Sequence, residues 1–225
     1  MRATWDQAAA SDRVDVYVGD PSTAARELES LFRRLGEDPR GGTCVEVGCG
    51  PGRMTGLLAD RFDRVVAVDV SPVMLDRARR AVRAGNVDFR LVSGRRLDAV
   101  EDGVADVLVC YLVLQHLPGA GVVRSHLQEF ARVLAPGGRA FVQLPVLGGG
   151  IGPRLWRLLR RAAVPVESRL ARDVTRRAAY RGYRLTGGEL AAAIAAAGLR
   201  AAARDEGGES PYRYAREIFL RLERG

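Results

Sequence analysis

The chain reads as a doubly wound α/β fold around a mainly parallel sheet, a pattern in which right-handed crossover helices link neighbouring strands. β-Branched runs alternate with segments of helical period along most of its length. The runs "TCVEV" (43–47), "RVVAVD" (64–69) and "ADVLVCYLVL" (105–114) are apolar almost throughout, as strands buried on both faces require. A turn with three glycines in five positions follows the first of them.

The elements follow in order. "DPSTAARELESLFRRLG" predicts a helix with Asp20 as N-cap, Pro21 in the first turn and Gly36 as its stop. Ala24, Leu28, Leu31, Phe32 and Leu35 form its apolar stripe. Residues 1–19 read as an irregular lead-in with a short helix. After strand 43–47 come a helix over 53–60, strand 64–69, and a helix over 72–84 capped by Ser71. "VDFRLV" and "ADVLVCYLVL" give the third and fourth strands. A helix over roughly 121–134 leads to "GRAFVQLP", the fifth. Residues 148–185 break the rhythm with "GGG", Pro153 and the amphipathic "RLWRLLRRA". There Leu155, Leu158 and Leu159 stand opposite Arg157, Arg160 and Arg161, as in a helical insertion on the carboxyl side of the sheet. "TGGELAAAIAAAG" then carries a capping box, Thr186 to Glu189, with Gly198 as stop. "LRAAARDE" and "YRYAREIFLRL" close the chain as a strand pair.

Composition narrows the function. With 225 residues, 47% apolar and 28% charged, the chain suits one substantial globular domain. No stretch is apolar enough to cross a bilayer, and the acid-containing start lacks an apolar leader, so a cytoplasmic location is expected. Cys44, Cys49 and Cys110 form no C-x-x-C pair and read as buried thiols. With only His116 and His126 beside them, no metal site is expected. All 35 basic residues are arginine, and ten of them between Arg154 and Arg184 face only Glu167 and Asp173. That surplus equals the net charge of +8. It reads as a solvated face, as a cap attracting an anionic substrate, or as a nucleic-acid or anionic-membrane surface. Trp156, Tyr180 and Tyr183 fit the apolar underside of a lid, or stacking on bases.

A glycine turn after a first strand lets the backbone approach a ligand, and Asp69 at the end of the second strand suits a ribose diol. Both point to an adenosine-bearing cofactor. The dinucleotide pattern G-x-G-x-x-G requires glycine at 53, where Arg53 stands. The turn is instead Glu46-x-Gly48-x-Gly50-x-Gly52. An acid facing that turn opposes a pyrophosphate and suits a cationic amino acid, such as the methionyl end of S-adenosyl-L-methionine.

"VEVGCGPGRMT", "VVAVDVSPVMLDRAR", "ADVLVCYLVLQHLP" and "EFARVLAPGGRAFVQLP", with "TGGELAAAIAAAGL" more weakly, resemble the class I S-adenosylmethionine-dependent methyltransferases of the small-molecule type that includes quinone-biosynthesis enzymes. The resemblance implies a seven-stranded sheet with its last strand antiparallel. It implies that Gly48, Cys49, Gly50 and Gly52 approach the cofactor, with Glu46 near its methionyl portion. Asp69 would hold the ribose beside Val70, while Ser71 caps a helix and Met74 lies against adenine. Ser93, followed by Gly94, stands where the family often has an acid for the adenine amino group, and Asp98 is an alternative. Tyr111 and Leu112 would line the cavity beside the transferable methyl, where Tyr111 touches cofactor and substrate. His116 is the candidate base or, alternatively, a brace for its loop. His126 is expected on an outer helix face with Arg124 and Gln128, and Asp106 is expected to be structural.

The domain organisation implied is an N-terminal helical lid (1–40) whose Trp5 and Tyr17 close the pocket, a cofactor-binding core (41–147), an Arg-rich cap insertion (148–185) and a C-terminal helix with a strand pair (186–225). The expected activity is methyl transfer to O, N or C of a small-molecule acceptor. RNA or protein methylation using the insertion, and non-catalytic cofactor binding, are the alternatives. Nucleic acid is disfavoured as a partner because the Asn- or Asp-Pro-Pro-aromatic motif of amino-methylating DNA enzymes is replaced by "CYLVLQ". The acceptor, the methylated atom and the oligomeric state stay open.

Overall fold

The computed structural model describes residues 2–9, 20–153, 155–159, 183–209 and 214–225. Its strands form a seven-stranded sheet in the order β3-β2-β1-β4-β5-β7-β6. These are β1 (Thr43–Val47), β2 (Arg64–Asp69), β3 (Val87–Leu91), β4 (Ala105–Cys110), β5 (Leu134–Leu147), β6 (Leu199–Glu209) and β7 (Ala215–Arg224). The first five pair in parallel, and β7 runs antiparallel between β5 and β6. The doubly wound fold with an antiparallel last strand is thus observed.

Alternation along the strands builds two cores. Val45, Val47, Val66, Val68 and Leu108 face one side, where they join Leu127 and Phe130 of α5 (Ala120–Val133) and Leu190 of α6 (Gly187–Ala196). Cys44, Val65, Ala67, Val107 and Val109 face the other. There they meet Leu28, Leu31 and Phe32 of α2 (Ala24–Arg34), Leu58 of α3 (Thr55–Ala59) and Leu75 of α4 (Pro72–Ala81). Each layer of helices therefore buries one stripe against a sheet that is apolar on both faces.

The start and stop signals act where the chain places them. Asp20 accepts from Ser22 N at 2.8 Å, but it caps a 3₁₀ turn, Pro21–Thr23, ahead of α2. Ser71 Oγ accepts from Met74 N, and the capping box of Thr186 and Glu189 is complete. Two boundaries differ. β4 ends at Cys110 rather than 114 because Leu112 adopts φ +58°, a left-handed conformation that no strand continues through. β5 begins at Leu134, before the expected 138, through a register shift against β4 between Ala105 and Val107.

The N-terminal helix α1 (Arg2–Ala9) lies on α4, packing Ala9 and Trp5 against Met74 and Val73. Ser71 Oγ donates to Asp6 Oδ1 at 2.5 Å, and Arg2 Nε donates to Val70 O at 3.1 Å. Of the insertion, 151–153 and 155–159 are helical, whereas Tyr17, Tyr180 and the arginines 154, 160, 161, 169, 172, 176, 177 and 181 lie outside the described residues. The arrangement of the described part inverts the usual amphipathic sense. Ile151, Leu155, Leu158 and Leu159 are exposed, while Arg157 turns inward to pair with Glu189 and covers Tyr183. Trp156 meets the Tyr214 ring edge-on.

Candidate functional site

The strand order reverses between β1 and β4, and the cleft opens at the carboxyl ends of these strands and of β2, the usual ligand position in an open α/β sheet. Counted with its open mouth, it holds about 1000 Å³ of empty space. Among the predicted residues, Glu46, Gly48, Cys49, Gly50, Asp69, Val70, Met74, Gly94, Tyr111 and His116 line it together.

The glycine loop owes its shape to backbone demands. Gly48, Gly50 and Gly52 have φ of +74°, +54° and +89°, angles that L side chains rarely adopt. A Cβ on Gly48 would overlap the side chain of Val113, and one on Gly52 would come within 2.9 Å of Val82. Gly52 therefore seats the loop on α4 and does not line the cleft. The loop's donors are committed internally. Gly48 N and Cys49 N donate to Val68 O, Gly52 N donates to Cys49 O, and Gly50 N donates to Asp69 Oδ2 at 2.9 Å. With those amides spent and Pro51 lacking one, residues 48–52 offer no free N–H to a pyrophosphate.

Two carboxyl groups, Asp69 and Glu46, and one guanidinium, Arg53, line the cleft. Asp69 is buried, and its second oxygen accepts from Ser71 N at 2.8 Å. Burial raises its pKa, while the N–H groups of Ser71, Gly50 and Val70 pull the other way. A carboxylate so fixed keeps lone pairs for a diol. Glu46, also buried, accepts from Thr55 Oγ1 at 2.6 Å, and burial pushes its pKa up to about 7. Arg53 moderates that shift and Asp69 adds to it. Arg53, visible in the sequence only as a mismatch to the dinucleotide pattern, lines the cleft, pairs with Glu27 at 2.7 Å and lies 5.9 Å from the Tyr111 ring. A guanidinium near a carboxyl group offers partners of opposite sign to the two ends of a zwitterionic amino acid, provided that Glu46 is ionised.

The wall after β4 is held from behind. Leu112 N donates to Gln143 Oε1 at 3.0 Å, and Gln143 Nε2 in turn donates to Glu217 on β7. This network, invisible to local sequence reading, joins three strands' worth of chain and presents Tyr111, Leu112 and Val113 to the cleft. Burial raises the Tyr111 hydroxyl to about 12. The His116 ring packs edge-on against Trp5 at 5.1 Å, with Nε2 3.2 Å from Gln115 Nε2.

Besides Gly52, three placements differ from expectation, those of Ser93, Asp98 and His126. Ser93 is exposed, its N–H donating to Asp98 Oδ1 at 3.0 Å and its hydroxyl accepting from Arg96 N, so both Ser93 and Asp98 build a turn outside the cleft lining. His126 does not stand on an outer face: it is buried and lines the cleft, because α5 turns the stripe of Val123, His126, Leu127 and Phe130 inward. Trp5 lines the cleft. Asp106 accepts from Thr43 N at 2.7 Å, a structural bond. The three cysteines are buried and unpaired by disulfide. Among the described residues no cluster is fit to hold a metal ion, and no helix is long and apolar enough to cross a membrane.

Comparison with known proteins agrees with this geometry. Residues 45–142 match the family model described as a methyltransferase domain. The chain is 33% identical over 168 residues to a trans-aconitate 2-methyltransferase of Streptomyces coelicolor, covering 71% of this chain and 50% of that protein. It is 32% identical over 117 residues to a ubiquinone biosynthesis O-methyltransferase of Xanthomonas axonopodis pv. citri, covering 51% and 47%. The chain thus spans about half the length of these curated relatives. A SAM-dependent methyltransferase from Leishmania major shares the fold with a TM-score of 0.70 at 14% identity, covering 98% of this chain and 80% of its own.

Proposed function

We propose, from the premise that residues 45–142 form a class I S-adenosylmethionine-dependent methyltransferase domain, that the chain transfers the cofactor's methyl group to O, N or C of a small-molecule acceptor. The observation that carries this reading is the pairing of Asp69 and Glu46 across a glycine turn whose amides are already committed. Such a surface favours a sulfonium nucleoside over a pyrophosphate. Asp69 holds the ribose hydroxyls, Met74 covers adenine, and Glu46 with Arg53 receives the ammonium and carboxylate of the methionyl end.

Methyl transfer from a sulfonium is an in-line displacement with a neutral leaving group, so the chain's task is alignment and exclusion of water. Positioning of this kind lowers barriers by as much as about 7–11 kcal/mol. Tyr111, Leu112 and Val113 form the acceptor-side wall, and Trp5 with α1 covers it. The Trp5 and Gln115 contacts of His116 support a bracing role for that ring over proton abstraction. The acceptor carries negative charge on this reading, supported by the arginine surplus of 154–184 and by similarity to a relative named for trans-aconitate.

Calorimetry with S-adenosyl-L-methionine and NAD tests the cofactor half, and uptake only of the former is expected. Incubation with labelled methyl donor and a panel of carboxylated, phosphorylated and neutral acceptors tests the rest. Label in an anionic small molecule is the expected result, and label confined to RNA or protein would refute it.

A further inference from the structure

Val92, Gly94 and Leu97 after β3, Met74, and His126 of α5 line the cleft together, and on the cofactor assignment above this is where adenine lies. The side chains at which an acceptor for the adenine amino group was expected, Ser93 and Asp98, are engaged with each other's turn outside the lining. A purine amino group buried there without an acceptor would lose its hydrogen bonds to water and gain none, a cost that buried polar groups rarely bear.

His126 supplies the missing chemistry. The residue is 4% exposed and lines the cleft. Its Nδ1 lies 2.9 Å from Val122 O, one turn back along its own helix. A carbonyl can only accept, so Nδ1 carries the hydrogen, and in the neutral ring Nε2 bears a lone pair. Among the described residues the ring makes no other hydrogen bond. Burial favours the neutral form, against the opposing pulls of the Val122 carbonyl and of Glu129. That carboxylate is committed elsewhere, accepting from Leu97 N at 2.7 Å and pairing with Arg132. Those same bonds clamp the loop after β3 onto α5, which fixes the distance between the histidine and the adenine wall.

Resting on the cofactor assignment above, we propose that His126 Nε2 accepts a hydrogen bond from the exocyclic amino group of adenine and so reads the base. The loop acid of the resembled family is replaced by a neutral acceptor from the helix across the cleft. Such an acceptor discriminates against a purine with a carbonyl at the same position, where two lone pairs would meet.

The test compares S-adenosylhomocysteine with S-inosylhomocysteine on the full chain by calorimetry. The wild type is expected to bind the adenosyl compound at least ~10-fold more tightly, and His126→Leu is expected to bring that ratio to about twofold or less. A role in packing alone would weaken both ligands equally and leave the ratio intact, which overturns the proposal. So does a wild-type protein that binds both ligands equally, although the cofactor assignment then survives. Binding of neither ligand overturns both. Should His126→Leu fail to fold, ¹⁵N-histidine spectra of the wild type decide, with His126→Gln to assign the ring. The Nε2 resonance should move upfield with the adenosyl compound and stay still with the inosyl one, and a resonance unmoved by the adenosyl compound overturns the assignment.

Discussion

The glycine-loop side of the cleft and the insertion after β5 solve opposite problems. In the loop, Gly48, Gly50 and Asp69 are fixed by backbone angles and buried hydrogen bonds that leave little freedom for substitution. In the described part of the insertion, the exposed leucines face out and Arg157 is spent on Glu189. One surface is defined by stereochemistry that the backbone imposes, the other by side chains that can change without disturbing the sheet. On the function proposed above, a ligand that does not vary suits the first, and a variable acceptor suits the second.

The sharpest way to break this contrast is Asp69→Ala. It removes a buried charged acceptor, each of whose hydrogen bonds is worth about 1.5–3 kcal/mol, so calorimetry should find S-adenosyl-L-methionine affinity lowered by ~100-fold. Unchanged affinity in a folded variant would remove the ribose assignment. Next in size is Gly48→Ala, which combines a left-handed alanine with overlap on Val113. The expected loss is about 2 kcal/mol, a fall in Tm of roughly 4–8 °C. Adding Val113→Ala should restore part of that fall, since the overlap goes and the strained φ stays.

The pH dependence of binding sharpens the contrast further. Glu46 titrates near 7 in the free protein, and an ammonium needs it ionised. Affinity should therefore rise by up to about tenfold per unit as pH rises toward 7 and level off above it, and Glu46→Gln should flatten the profile. The stability sign is the reverse. A carboxyl whose pKa is raised on folding binds its proton more tightly in the folded state, so its contribution is full below about 4.5 and is lost as pH rises to about 7. Thermal melts of the ligand-free chain should show that decline, and Glu46→Gln should not. The smallest effect belongs to the insertion. Leu158→Gln, on an exposed position, should change stability by no more than about 0.5 kcal/mol and leave cofactor affinity alone. A tenfold loss of cofactor binding there would erase the division between the two regions.

Legibility in the sequence followed the same division. The strands, Ser71 and Thr186 caps, glycine loop and Asp69 were readable because each rests on local stereochemistry or on a two-residue period. What escaped depends on long-range packing. His126 seemed solvated beside Arg124 and Gln128, yet α5 is rotated by the apolar positions 123, 127 and 130, which carry 126 inward with them. Leu112 gave no sign of its left-handed turn, since its partner Gln143 lies 31 residues away. Arg53 stands out in the sequence only as a missing glycine, and its pairing with Glu27 comes from α2 folding over the loop.

The placement of β7 between β5 and β6 has a consequence for how the molecule is made. As the chain grows from its amino end, β1 to β5 can pair as they appear, but β6 emerges with no neighbour to join. Only when β7 inserts, bonding to β5 on one edge and β6 on the other, does the sheet acquire its outer margin. The insertion of β7 is therefore the event that brings Glu217 behind Gln143, so the wall after β4 sets last, after the glycine-loop half is already in place.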